Sequence, residues 1–203
     1  MLTGLVLSGG ESSRMGQEKG LVNLNGDPML SYVVNSMLDL VDQIVISVGK
    51  GRAALYDEYS EIGFEIVEDR EPGRGPLEGV VCAMREMRGD YVIVGPCDTP
   101  LLKQEICKLV LSKAEGRDGA VPIVKGLYEP LHGAYKKSAA LDAFEEALAN
   151  GGRRLVDVYD KLDIARVEED ELRNIDPELD SFWNLNIPDE LVRAEMKLRD
   201  LDQ

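Results

Sequence analysis

The chain has 203 residues, room for one α/β domain with a sizeable core, and its 38 acidic against 23 basic side chains give a formal charge of -15. That balance argues against a surface built to neutralise a nucleic-acid backbone, although a few local cations and backbone N–H groups suffice for a small phosphate ligand. No stretch approaches the run of about 20 apolar residues of a membrane helix, and no basic flank precedes Leu5-Val6-Leu7, so a cytoplasmic protein without a membrane partner is expected.

The first strand, Gly4 to Leu7, runs into Leu7-Ser8-Gly9-Gly10-Glu11-Ser12-Ser13-Arg14-Met15-Gly16-Gln17-Glu18-Lys19. A glycine loop of this kind brings bare amides to a phosphate while Arg14 and Lys19 add charge. It matches neither the P-loop nor GxGxxG, and it reads equally as a surface loop with turn-forming glycines. Asp27 followed by Pro28 predicts a capped helix start, with Leu30, Val33, Val34, Met37, Leu38 and Val41 as its apolar stripe.

Strands follow at Ile44 to Val48 and Phe64 to Val67, the latter leading to Asp69. The next segment, Gly73-Arg74-Gly75-Pro76-Leu77-Glu78-Gly79, opens a second helix with the stripe Leu77, Val80, Val81 and Met84. Its N-terminus could face an anion, but a plain loop and helix start is the simpler reading, and Glu78 breaks a dinucleotide fingerprint. The strand from Tyr91 to Val94 ends in Val94-Gly95-Pro96-Cys97-Asp98-Thr99-Pro100. A carboxylate at the carboxyl end of a parallel strand stands where open α/β sheets hold ligands, and a single Asp98 is adequate for magnesium; a turn or cap aspartate is the alternative.

Strands at Ala120 to Val124 and Leu131 to Tyr135 come next. Phe182-Trp183-Asn184-Leu185-Asn186-Ile187-Pro188 then sets two amides on one side of an extended segment, before a closing helix with the stripe Leu191, Ala194, Leu198 and Leu201. These strands are short and unalternating, as in a sheet covered on both faces. Their alternation with helices predicts a single-domain Rossmann-like three-layer sandwich with a mainly parallel central sheet.

Cys82, Cys97 and Cys107 have no CxxC spacing and are expected to be reduced and mostly buried. The lone histidine, His132, excludes a paired-histidine metal site and fits a core position. Lys125, His132, Arg153 and Arg154 lie in the C-terminal half, where they could meet a second phosphorylated ligand; Arg153 and Arg154 also fit a solvated helix start.

Taken in order, these residues resemble the molybdenum cofactor guanylyltransferase family, within the nucleotide-diphospho-sugar transferase-like folds. Leu7 to Lys19 match its L-A-G-G-x-x-x-R-M-G-x-x-K loop, with Ser8 in place of Ala; Gly75 to Gly79 match G-P-L-x-G, Pro96 to Pro100 match P-C-D-x-P, and Asn184 to Pro188 match N-x-N-x-P. The resemblance covers nearly the whole chain. It implies transfer of GMP from GTP to the phosphate of molybdopterin, with Mg²⁺ as cofactor and pyrophosphate leaving.

It also implies site residues. Leu7, Ser8 and Gly9 would contact guanine and ribose; Gly10, Gly75 and Pro76 would complete the nucleotide site, and Asp69 would lie on its guanine side. Lys19 would take the phosphates and Asp98 the metal, with Arg14, Lys19 and Asp98 as the catalytic set. Asn184, Asn186 and Arg154 would bind the acceptor, so the N-terminal half serves the nucleotide and the C-terminal half the acceptor. Transient contact with cofactor-biosynthesis proteins or apo-molybdoenzymes would follow.

Two positions depart from the family pattern. Ser47 stands where it often has Asn, and Ile187, in place of Thr, has no oxygen to cap the helix at Pro188. CMP-transferring relatives resemble the loop with Ala-Ala-Gly; Gly9 removes a methyl group there and favours the larger purine. A cytidylyltransferase, a nucleotidyltransferase for another phosphorylated acceptor and a GTP-binding cofactor-delivery protein are the alternatives.

Overall fold

Short aliphatic runs, buried along both faces, assemble into one sheet at the centre of the structure, a computed structural model that describes residues 1–9 and 18–201. β1 (Leu2–Leu7) is followed by a 3₁₀ turn at Lys19–Leu21, the short pair β2 (Asn23–Leu24) and β3 (Asp27–Pro28), then α1 (Met29–Leu38) and β4 (Gln43–Val48). Next come a 3₁₀ turn at Ala53–Tyr56, α2 (Asp57–Glu61), β5 (Glu65–Glu68), α3 (Pro76–Glu86), β6 (Tyr91–Pro96), α4 (Gln104–Ala114) and β7 (Gly119–Val124). β8 (Leu127–Tyr128), a 3₁₀ turn at Pro130–His132, β9 (Ala134–Lys136), α5 (Lys137–Ala149), a 3₁₀ stretch at Leu155–Lys161, β10 (Ile164–Val167), α6 (Glu169–Arg173), a 3₁₀ turn at Asp180–Phe182 and α7 (Pro188–Leu201) complete the order.

The strands lie in the order β10-β7-β9-β6-β1-β4-β5, with β8 paired to β7. β1 runs parallel to β4 and β6, β5 to β4 and β10 to β7; β9 is antiparallel to both β6 and β7. One edge of the sheet therefore collects the carboxyl ends of all the parallel strands.

Side-chain alternation divides the core into two layers. Val6, Ile44, Ile46 and Val48 point to the α1 and α4 side, where they meet Leu30, Val33, Met37, Ile106 and Val110. Leu5, Leu7 and Val45 point the other way, onto Leu77, Val80, Val81 and Met84 of α3 and Phe144 of α5. Burying each such side chain contributes roughly 1.5–3 kcal/mol. A third, smaller cluster of Leu24, Met29, Leu185 and Ala194 fastens α7 to the β2–β3 pair. No helix among the described residues is long and apolar enough to cross a membrane.

The three-layer, mainly parallel architecture is the one expected, but some boundaries moved. Asp27 does not cap a helix whose first residue is Pro28: both sit in β3, and α1 starts at Met29 without a side-chain cap. The cause is Asn25-Gly26, with φ of 53° and 107°, a turn pair that suits a two-residue hairpin and draws Asp27 into pairing with Leu24. The expected strand from Leu131 to Tyr135 is instead a 3₁₀ turn followed by β9, because Pro130 fixes φ and removes a donor. All three cysteines are free and buried, as expected.

Candidate nucleotide site

At the carboxyl edge the parallel ladder continues one residue past each strand. The Ser8 N–H donates to Ser47 O at 2.8 Å, Asp69 N–H to Val48 O at 2.9 Å and Cys97 N–H to Leu7 O at 3.0 Å. Ser8, Ser47, Asp69 and Cys97 are thereby set in a row along the floor of a cleft of about 810 Å³.

One end of the cleft is shaped by the start of α3. Gly75 has φ of 76°, and a Cβ there would stand 3.1 Å from Arg153 O, so glycine is demanded twice over. Pro76 then occupies the first helical position. Gly79 lets the helix settle on the strand ends: a Cβ at that position would be 2.6 Å from Ser47 Oγ and 3.3 Å from Asp69 Oδ1. Buried Glu78 accepts the N–H groups of Arg70 and Glu71 at 3.1 and 3.2 Å, which holds the segment after Asp69 in place.

Burial, and then the charge of Glu78, push the Asp69 carboxyl up to about 6. Asp69 Oδ1 and Ser47 Oγ are both buried and have no hydrogen-bond partner among the described residues. Unsatisfied acceptors inside a cleft are the groups a ligand donor would satisfy. A Cβ at Gly9 would lie an ordinary 3.4 Å from Asp69 Oδ2, so the protein tolerates a methyl there and the space it frees faces the carboxylate.

At the other end the Lys19 ammonium pairs with the Asp98 carboxylate and donates to Asn186 Oδ1 at 2.9 Å. Asn186 Nδ2 donates to Asn184 O at 3.2 Å, and Leu185 N–H to Asp98 O at 2.9 Å, so the C-terminal amides are latched onto the turn that carries Asp98. The Asn186 and Ile187 N–H groups donate to the Glu190 carboxylate at 2.6 and 3.2 Å; that acid caps the start of α7 where Ile187 has no oxygen to do so. These contacts hold Glu190 below the usual carboxylate range.

The groups gathered on Lys19 are hard oxygen donors, one carboxylate and one amide, and no cluster of three or more His, Cys, Asp or Glu side chains forms among the described residues. That set fits magnesium, which takes few protein ligands and completes its shell from phosphate and water.

Leu7, Ser8, Gly9, Lys19, Ser47, Asp69, Gly75, Pro76 and Asp98 line this one cleft, and Asn184 and Asn186, expected at the acceptor, line it too. Gly10 and Arg14 lie outside the described residues. Arg154 does not line it: its side chain is 74% exposed and pairs with Asp157 at 2.6 Å. Arg153, one residue earlier, packs its backbone on Gly75 but is likewise exposed and does not line the cleft.

Lys125 sits in the β7–β8 turn with φ of 52°. His132 is a core residue packed edge-on against Phe182, and burial pushes its pKa down to about 4; the Ser181 backbone is a weak polar contact opposing that shift. The sequence reading overlooked Glu18, Lys50 and Arg52, which also line the cleft. The available signal was that Lys50 and Arg52 closely follow the carboxyl end of β4.

Open parallel sheets hold ligands at this edge, and a cleft there lined by polar groups and glycine turns fits the class of α/β nucleotidyltransferases. Residues 4–165 match the MobA-like NTP transferase domain, and the chain belongs to that family. It is 32% identical over 200 residues to the molybdenum cofactor guanylyltransferase of Desulfosudis oleivorans, covering 98% of this chain and 96% of the relative. A probable molybdenum cofactor guanylyltransferase of Pelotomaculum thermopropionicum is 31% identical over 194 residues, 96% and 92% of the two chains. Among solved structures, molybdopterin-guanine dinucleotide biosynthesis protein A from Archaeoglobus fulgidus superposes with a TM-score of 0.81 at 29% identity, covering 98% and 99%.

Proposed function

We propose that the protein transfers GMP from GTP to the phosphate of molybdopterin, forming a guanine dinucleotide and releasing pyrophosphate. The observation that carries this reading is the pairing, in one cleft, of the unsatisfied Asp69 carboxylate at one end with Lys19 and Asp98 at the other. Guanine presents two neighbouring donors, its ring N–H and its exocyclic amine, and a carboxylate accepts both. The names carried by the relatives support the same substrates.

In this reading an oxygen of the acceptor phosphate attacks the α-phosphorus, the bond to the bridging oxygen breaks, and pyrophosphate departs in line. A phosphate monoester is largely ionised at neutral pH, because its second pKa is about 6, so no general base is needed. Lys19 supplies a positive charge for the phosphates, with Arg14 and the amides of the glycine segment in the same role by resemblance. Asp98 would hold Mg²⁺ with the Asn186 amide oxygen beside it, and the ion would neutralise phosphate charge when bound. Asn184 and Asn186 are the acceptor contacts we propose. Transient contact with the enzymes that receive the product belongs to the same proposal.

Incubation with GTP, Mg²⁺ and molybdopterin tests it: guanine dinucleotide and pyrophosphate are the expected products, and omission of Mg²⁺ should abolish both. Product from CTP alone would overturn the base assignment. Tight GTP binding without pyrophosphate release would point to a delivery protein.

A further inference from the structure

We propose that Tyr56 is a positioning residue of the nucleotide site, its hydroxyl fastening together the two ends of the glycine-rich segment between β1 and the Lys19 turn. This rests on the reading of the cleft lined by Ser8, Glu18 and Lys19 as the GTP site. Tyr56 is fully buried at the end of the 3₁₀ turn after β4. Its hydroxyl lies 2.7 Å from Ser8 Oγ and 3.4 Å from Glu18 Oε2. Ser8 directly follows β1, and Glu18 directly precedes Lys19. Arg52, on the loop that leads to Tyr56, forms an ion pair with the same Glu18 carboxylate.

The chemistry gives this chain a direction. A carboxylate only accepts and is the stronger acceptor, so the phenol proton goes to Glu18, and the Ser8 hydroxyl donates to the phenol oxygen. Burial pushes the Tyr56 phenol up to about 12, so the donor keeps its proton at neutral pH. Ser8 stands where the family loop has alanine, and the bond to Tyr56 gives the extra hydroxyl a purpose. The spacing of Ser8 and Lys19 is thus set by a third element as well as by the intervening chain. Without that tie, Ser8 and Lys19 would have to be brought into register when a ligand binds, at a cost to affinity.

The test is calorimetric titration of the full chain with GTP and Mg²⁺, alongside steady-state kinetics. Tyr56→Phe should raise Kd and KM for GTP roughly tenfold, the size of one buried hydrogen bond to a charged group, with kcat at saturating GTP within about twofold of wild type. Ser8→Ala should raise Kd less. Ser8→Ala combined with Tyr56→Phe should bind no more weakly than Tyr56→Phe alone, since both act through one hydroxyl, whereas a Ser8 hydroxyl contacting GTP directly would make the effects add.

Tyr159→Phe deletes a half-buried hydroxyl, paired with Tyr135 at 2.6 Å outside the cleft, and should lower Tm without moving the GTP Kd. A wild-type Kd in Tyr56→Phe, additive effects in the double variant, or a Tyr159→Phe variant that weakens GTP equally would each overturn the proposal. If Tyr56→Phe does not fold, Ser8→Ala carries the test, and an unchanged Kd there overturns it. Absence of GTP binding by the wild-type chain would instead refute the nucleotide reading.

Discussion

Asp69 is a carboxylate kept in an environment that opposes its charge. Its folded pKa of about 6 lies above the ordinary value of 3.8, so the folded state binds this proton more tightly than the unfolded chain does. The penalty for ionising it is absent below the lower value, grows as pH rises between the two, and is complete above 6. Asp69→Asn removes that term, so the variant's Tm should gain on the wild type between pH 4 and pH 7; a difference independent of pH would refute the linkage. The same change should cost GTP affinity roughly tenfold or more through loss of a charged acceptor, measured against CTP as a reference.

Asp98 differs, because its charge is already matched by Lys19. Asp98→Ala should fold, yet lose on the order of 10²–10³ or more in turnover, as removal of a charge-positioning group does. Lys19→Ala should impair transfer in the same assay. Near-wild-type dinucleotide formation by Asp98→Ala in the presence of magnesium would remove the metal assignment.

At the level of elements, the site depends on how closely α3 sits on the strand ends. Gly79→Ala would drive a methyl group into Ser47 Oγ at 2.6 Å and should cost about 1–3 kcal/mol in urea unfolding, as overpacking does. At Gly49 an added methyl would meet nothing nearer than 3.7 Å, so Gly49→Ala should change stability little. Equal costs for the two would show that the close approach at Gly79 is not what demands glycine.

Much of this layer was legible in the sequence. β1, β4, β5, β6 and β7 announce themselves as apolar runs, and Ser8, Asp69 and Asp98 stand at or just past the ends of β1, β5 and β6. β10 did not, because Arg166 interrupts its apolar pattern, and neither did β9, where a proline-led turn consumes half of the run. Likewise the tie between residues 8, 18 and 56 joins segments that no local pattern connects.

Across the whole molecule, a charge of -15 sets self-repulsion against many surface ion pairs. Exposed pairs are each worth about 0–1 kcal/mol, so repulsion should dominate. Raising NaCl from about 0.1 to 1 M shortens the screening length from about 10 to about 3 Å, and Tm in a calorimetric scan should rise. A falling Tm would show that the ion pairs win.

The match to the family ends at residue 165, yet the wall of the cleft does not. Asn186 reaches Lys19, and Leu185 is tied to the backbone of Asp98, while Ala194 and Leu185 cover Leu24 and Met29. A fragment cut at the family boundary would therefore lose one wall of the cleft along with a patch of its interior. Any engineered fusion or shortened version meant to keep that cleft whole would have to retain the final helix.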